Sequence, residues 1–378
     1  MSSGESNPVR VLIVRIGAMG DVLHGMPAVA GLRAALAAEL PGCVIGWAVE
    51  PRWAPLLQTG AGVAGPLVDR VHLVKTKEWK RRPFATETVR EIAALRRGLR
   101  AEQYDVCVDV QGSIKSGVIG WMAGAKRFVG PDAPRERQAR LLYGERVTVA
   151  APNVIGQACE LVGDAIGRPV SGGRVELPVD VAAEAWANEA LLRLAEKDAV
   201  RPLESGGSSF QGAARGFVLI APTAGWGAKE WGAERYGALA KGLMDAGFRV
   251  LMNKLPGSLL SMEDEVARIS GASALYSTLP QMIALTRRAA LVVGGDTGPV
   301  HLAAALGRPV VALFGPTDPA RNGPDFPGAR VRVLRDAGSV TSHKRLAETE
   351  AGLAKVRVEE VLAAALAMLG ERTGEWNG

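Results

Sequence analysis

The stretch VVGGDTGPVHLAAALGRPVVALFGPTDP, residues 292–319, carries a strand, a helix and a second strand in one continuous run. LVVGGD (291–296) and VVALFG (310–315) are short and almost wholly apolar, and an alanine-rich helical pattern separates them. Strands of that kind, joined through a helix, belong to a parallel sheet covered on both faces. The turn at Gly294 and Gly295 leads to Asp296 in an N-cap-like position, with Thr297 and Gly298 opening the helix. The N–H groups of such a turn and the helix dipole together form an anion site. His301 follows one turn later and reaches the same ligand. A plain N-cap aspartate accounts for Asp296 taken alone. Asp296, Thr297, Gly298 and His301 taken with the further loop FGPTDP favour a bound ligand.

The same grammar extends outward in both directions. The second half adds FVLIAP (217–222), RVLMNK (249–254), ALYS (274–277) and VRVLR (331–335). The first half carries its own series: VRVLIV (9–14), VIGWAV (44–49), RVHLV (70–74), DVCVDV (105–110), RFVG (127–130) and RVTVA (146–150). Helical patterns such as PAVAGLRAALAAEL lie between several of them. The fold class is therefore α/β, with two Rossmann-like domains whose parallel sheets place ligands at the carboxyl ends of their strands. We expect the domains to face each other across a cleft. The expected boundaries are 1–172 for the N-terminal domain and 173–356 for the C-terminal domain, with a mobile Ser/Gly-rich loop at 203–215. A terminal helix at 357–371 is expected to pack back toward the N-terminal domain.

Composition narrows the class further. A chain of 378 residues is too long for one ordinary core and suits two. The N-terminus is a short polar tail with no signal-peptide pattern, and no apolar run reaches membrane-span length. Three cysteines, Cys43, Cys107 and Cys159, show no CxxC spacing, which argues against a disulfide framework or a zinc site. These features point to the cytoplasm. The net charge of +6 suits an anionic partner and equally suits mere solubility.

A second strand-to-helix turn lies in APTAGWGAKEWGAERYGALA, residues 221–240. Thr223, Ala224 and Gly225 let backbone approach a ligand closely. Lys229 places a cation near a helix start, where the dipole disfavours it unless an anion is bound; the alternative is a solvent lysine whose stem covers Trp231. In NKLPGSLLSMEDEVARIS (253–270), Glu263 opens a helix after a Gly-bearing loop. That is ordinary capping, or, beside a nucleotide site, a carboxylate for ribose hydroxyls. No Asp-x-Asp pair and no G-x-x-x-x-G-K-[ST] loop occurs. The usual metal-holding carboxylate pair for a nucleotide sugar is thus absent, leaving lysine and helix dipoles to neutralise a leaving diphosphate.

GDVLHGMPA (20–28), DVQGSIKS (109–116), RE (135–136), AKEW (228–231) and GGDTGPVHLAAALG with VALFGPTDP carry a specific resemblance. From about residue 9 to 370 the chain resembles the ADP-heptose:lipopolysaccharide heptosyltransferases, glycosyltransferases of the GT-B fold. GDVLH brings it closest to heptosyltransferase I. The resemblance implies an inverting, metal-independent transferase without cofactor. Asp21 would be the general base that takes a proton from the acceptor hydroxyl as it attacks the anomeric carbon. Its competing role is to cap the following helix. Lys229 and the Thr223–Gly225 loop would hold the diphosphate and donor sugar, with Lys229 also catalytic. Glu263 would take the ribose, although the longer Gly-to-Glu segment here leaves Glu265 as an alternative. Ser277 would lie near the adenine, and Asp296, Thr297, Gly298 and His301 would hold heptose and phosphates.

On the acceptor side, Lys77, Lys80 and Arg81 of KTKEWKRRPF (75–84), with Lys115 and Arg135, fall where the family has basic residues. They imply a Kdo-lipid A acceptor, peripheral contact with the inner face of the inner membrane, and no nucleic acid. Asn153 and Gln157 depart from the family, which often carries His and Arg in that region. Three other readings stay open: a heptosyltransferase II-like enzyme with another acceptor or donor, a sugar-nucleotide epimerase of the same fold, and a non-catalytic sugar-nucleotide binder.

Overall fold

The computed structural model describes residues 9–37, 42–200, 216–254, 261–342, 344 and 346–370. The polar N-terminal tail and the Ser/Gly-rich loop at 203–215 lie outside the described residues. The chain divides into two compact units between Pro178 and Val179.

The first unit runs β1 (Arg10–Val14), α1 (Met19–Ala37), β2 (Val44–Val49), β3 (Arg70–Leu73), α2 (Thr76–Arg81), α3 (Thr86–Ala101), β4 (Val106–Asp109), α4 (Ile114–Ala123), β5 (Arg127–Pro131), β6 (Glu145–Val147) and α5 (Val154–Ile166). Its strands form one sheet in the order β3-β2-β1-β4-β5-β6, with every pairing parallel. All four residues of β4 are buried, as are the last four of β1, because helices cover both faces.

The unit extends past residue 172 for a local reason. The strap after α5 lies along α1, with Gly173 N–H donating to Pro27 C=O at 2.8 Å. Pro178 fills the space a side chain at Gly65 would need.

The second unit runs α6 (Val181–Val200), β7 (Phe217–Ala221), α7 (Ala233–Asp245), β8 (Arg249–Lys254), α8 (Met262–Ser270), β9 (Ser273–Tyr276), α9 (Leu279–Arg288), β10 (Leu291–Gly295), α10 (Gly298–Ala305), β11 (Val310–Leu313), α11 (Pro319–Asn322), β12 (Val331–Leu334) and α12 (Val358–Gly370). Its sheet order is β12-β11-β10-β7-β8-β9, again all parallel. Both sheets share one wiring. Three strands run outward on one side, the chain crosses back, and three more run outward on the other. The crossing point is β1/β4 in the first sheet and β7/β10 in the second, and ligands of doubly wound sheets sit at such points.

The terminal helix α12 uses its apolar face within the second unit, whereas the sequence reading turns it toward the N-terminal domain. Val361, Ala365, Met368 and Leu369 join the core formed by β7, β8, β10 and α7. The chain entering α12 is pinned there by Trp231 Nε1–H, which donates to Val356 C=O at 3.0 Å. Among the described residues, no helix is long and apolar enough to cross a membrane.

Candidate functional site

In the first unit the loop from β1 to α1 presents Asp21 from the first helical turn. Its Oδ2 accepts from Ala18 N–H at 3.1 Å, so the capping role that the sequence allows is realised. Its Oδ1 accepts from Arg15 Nη2 at 3.1 Å, while Arg15 Nε donates to the Asp21 carbonyl at 2.9 Å. Arg15 also donates to Val110 C=O at the end of β4, which ties the two central strand ends together. A carboxylate offers about four acceptor sites, so two contacts leave capacity for a further proton donor. The Asp21 side chain is 33 % exposed, against 12 % for Arg15.

The loop is shaped by two tryptophans. Trp47 Nε1–H donates to Arg15 C=O at 3.0 Å from beneath. Trp53 lies against Gly17, where a Cβ would come within 2.6 Å of its indole nitrogen; Gly17 also has φ of +150°, so a side chain is excluded twice. Arg15 and Trp53 were not singled out in the sequence. Arg15 was legible only as a charge at the end of an apolar strand.

The next strand end carries Asp109, fully buried. Its Oδ1 accepts from the Gln111 and Gly112 N–H groups at 2.9 and 3.1 Å. Its Oδ2 accepts from Ser116 Oγ at 2.8 Å and Tyr143 Oη at 2.9 Å. Burial pushes the carboxyl up, and these four neutral donors pull it back only in part. The DVQGS turn is thereby locked and α4 begins at a fixed place, with Ser113 and Ser116 forming its capping box.

Lys115 is exposed in the first turn of α4. Glu136 N–H donates to Gly112 C=O, and Glu136 Oε2 accepts from Ile114 N–H, both at 2.9 Å. That stitching brings the backbone of exposed Arg135 against Gly112, in the turn that leads into α4. Lys77, Lys80 and Arg81 are exposed on α2, which follows the edge strand β3. Two strands, β2 and β1, therefore separate their origin from that of Lys115, and the five basic residues form two groups within the unit.

In the second unit the strand ends of β7 and β10 meet. Lys229 Nζ lies 2.5 Å from Asp296 Oδ2, and His301 Nε2 lies 2.9 Å from Asp296 Oδ1. All three side chains are nearly buried. Burial alone would raise the Asp296 carboxyl, but His301 and the Lys229 ammonium outweigh it and hold it well below the usual carboxylate range.

Two expectations change here. Asp296 is not the N-cap of α10; Thr297 is, and the Asp296 side chain turns to Lys229 and His301 instead. Lys229 does not sit at the start of α7 either. It occupies a 3-10 turn, Gly227–Lys229, and its charge is answered by Asp296, so the misplaced-cation argument does not hold. The turn is held by Ala228, which donates to Leu346 C=O at 3.0 Å and accepts from Glu350 N–H at 3.2 Å. Close approach also needs Gly295, where a Cβ would stand 2.8 Å from Lys229 C=O. The indole of Trp226 completes the setting, 4.3 Å from the ammonium.

The remaining donor-side candidates follow β7, β8 and β9. Thr223 Oγ1 donates to Glu263, which is buried in the first turn of α8. Glu265 is exposed and bound to Arg268 at 2.6 Å, so Glu263 is the carboxylate brought to the Thr223 loop. Ala224 N–H donates to Glu230 at 3.2 Å, and Gly225 faces open space. Ser277 is buried at the end of β9 and donates to Asn253. Gly298 begins α10.

The chain is similar to known proteins over most of its length. The chain is 30% identical over 321 residues to lipopolysaccharide heptosyltransferase 1 of Salmonella typhimurium, covering 82% of this chain and 90% of that one. Among solved structures, E. coli heptosyltransferase WaaC with ADP superposes with a TM-score of 0.70 at 25% identity, covering 95% of this chain and all of that one. The same enzyme with ADP-2-deoxy-2-fluoro heptose gives 0.68 at 25% identity, covering 95% of this chain and 99% of that chain. The fold is accordingly GT-B. Residues 92–345, well over half of the chain, match the family model of glycosyltransferase family 9 (heptosyltransferase), and the chain belongs to that family.

Proposed function

We propose that this heptosyltransferase moves heptose from ADP-L-glycero-D-manno-heptose to a Kdo-lipid A acceptor of the lipopolysaccharide inner core, with inversion and without a metal. The observation that carries the reading is the buried Lys229–Asp296–His301 chain at the meeting strand ends. A diphosphate leaving group gathers negative charge as the glycosidic bond breaks, and a fixed ammonium stabilises it without reorganisation. Lys229 supplies that cation. Asp296 and His301 accept and donate to sugar hydroxyls, with Thr297 and Gly298 presenting N–H groups to phosphate. Glu263 takes the ribose hydroxyls, and Ser277 lies toward the base.

Asp21 takes the acceptor proton. Arg15 is its positioning residue, holding one carboxylate oxygen while the side chain keeps access to solvent. Lys77, Lys80, Arg81, Lys115 and Arg135 receive the acidic acceptor through charge-assisted contacts.

Asp21→Asn is the decisive variant, because an amide oxygen can keep the Ala18 contact while losing the basic carboxylate. We expect kcat to fall at least 100-fold, with ADP affinity and thermal stability near wild type. Retention of more than about a tenth of wild-type kcat overturns the base assignment. Full activity in the presence of a chelator is the matching expectation for metal independence, and loss there counts against it.

Contact with the cytoplasmic face of the inner membrane is part of this reading. Exposed Lys80, Arg81 and Arg82 offer charge, and α4 offers exposed Ile114, Val118 and Trp121 along one face. Each basic residue near an anionic surface contributes about 1 kcal/mol. Reversing all three charges to Glu should abolish pelleting with anionic vesicles; unchanged pelleting removes that surface from the account.

A further inference from the structure

Tyr276 ends β9 and is 55% exposed, an unusual place for a large aromatic side chain unless it has a partner. One face of its ring is occupied. Lys254 Nζ lies 4.8 Å from the ring centroid. Lys254 is itself fixed, since its ammonium donates to Asp264 in the first turn of α8. The register of the sheet sets Lys254 directly beside Tyr276. Asp264 is the neighbour of Glu263, the carboxylate that takes the Thr223 hydroxyl. A continuous path therefore runs from the Glu263 carboxylate through Asp264 and Lys254 to an aromatic plate.

We propose that Tyr276 is the stacking platform for the donor's purine base. The inference rests on the donor reading above and deepens it. A base stacks on an aromatic ring with a gain that is largely tolerant of base identity, and purines offer the larger face. The Lys254 ammonium lies beside the ring and hydroxyl of Tyr276, which leaves the other face of the ring for a base to stack on. Strand order supports the placement. Reading from β10 through β7 and β8 to β9, the candidate groups pass from the Lys229 cation to the ribose carboxylate and then to Tyr276. That sequence matches the order of diphosphate, ribose and base along a nucleotide. Ser277, buried behind the strand end and engaged with Asn253, fixes the backbone that carries the ring.

Calorimetric titration with ADP, UDP and pyrophosphate tests this on the whole enzyme. Tyr276→Leu, which keeps apolar bulk and removes the ring, should raise the ADP dissociation constant about fivefold or more. Tyr276→Phe should bind ADP within about twofold of wild type, because the ring carries the effect. The pyrophosphate constant should not change in either variant, and the preference for ADP over UDP should narrow in Tyr276→Leu. Unchanged ADP affinity in Tyr276→Leu overturns the proposal. So does an equal loss in Tyr276→Phe, which would assign the effect to the hydroxyl, or a parallel loss for pyrophosphate, which would mark general damage to the site. Wild-type enzyme that binds none of the three probes would instead defeat the donor reading itself.

Discussion

Asp109 and Asp296 occupy the same station in two sheets of identical wiring. Each stands at the carboxyl end of the strand on the far side of the crossing point, Asp109 as the last residue of β4 and Asp296 just after β10. Each is almost wholly buried. Their surroundings differ in charge. Asp109 meets two backbone N–H groups and two hydroxyls, all neutral. Asp296 meets an ammonium and an imidazole. Burial therefore dominates at Asp109 and pushes its carboxyl up, whereas the cationic partners dominate at Asp296 and push it down. The same residue type at the same topological position serves as a structural lock in one unit and as part of an ionic centre in the other. Environment, not the strand-loop-aspartate motif, separates the two roles.

The larger test of that comparison is Asp296→Asn. The amide keeps the shape but leaves the Lys229 ammonium, only 12 % exposed, without its counter-charge. Breaking one side of a buried pair costs roughly 3 kcal/mol of stability, and transfer should fall at least tenfold because the cation is no longer held in place. The pH dependence carries the sign. Asp296 has a folded-state pKa below its unfolded value of about 3.9, so its contribution is complete above that value and is lost as pH falls through and below it. Wild type should lose stability steeply below about pH 4, and the variant should lose less over the same range. Urea unfolding at several pH values measures this. Parallel wild-type and variant curves would show that Asp296 does not titrate against its two partners.

Much of the frame was legible and the ionic centre was not. The twelve strands among the described residues all overlap the runs read as strands, closely for the central ones, where a doubly covered strand needs an apolar string, and least for the edge strand β6, which meets its predicted run only at Arg146 and Val147. Gly295, Lys229, Asp296 and His301 were also singled out in sequence. Their partnership was not, since Lys229 and Asp296 stand 67 residues apart and only the pairing of β7 with β10 brings them together. A local rule gave Asp296 to the helix cap and gave Lys229 to a helix start, and the long-range ion pair overrode both. Arg15 escaped for the same reason: its contact with Val110 exists only once β1 and β4 pair. The choice between Glu263 and Glu265 needed helical phase, which faces one inward and sends the other to Arg268. Asp109 stands in DVQGSIKS, one of the stretches that carry the family resemblance, yet nothing in the string says that its four donors are all neutral.

Asp109→Asn is the quieter test, and its sign should oppose that of Asp296→Asn. A carboxyl whose folded-state pKa lies above its unfolded value binds more protons when folded, so it weakens the fold as pH rises through the interval between the two. When ionised, Asp109 bears the cost of burial without a counter-charge. An amide oxygen still accepts from the Gln111 and Gly112 N–H groups, and the Ser116 and Tyr143 hydroxyls can turn to accept from the amide. Stability at pH 7 should therefore change by no more than about 1 kcal/mol, in either direction. Relative to wild type, the variant should gain stability as pH is raised from about 4 toward neutrality. ADP affinity should be unaffected, since the donor candidates belong to the other unit. A loss above about 2 kcal/mol at pH 7, with no change in pH slope, would mean that the negative charge itself holds the DVQGS turn, and the contrast between the two aspartates would then be one of degree.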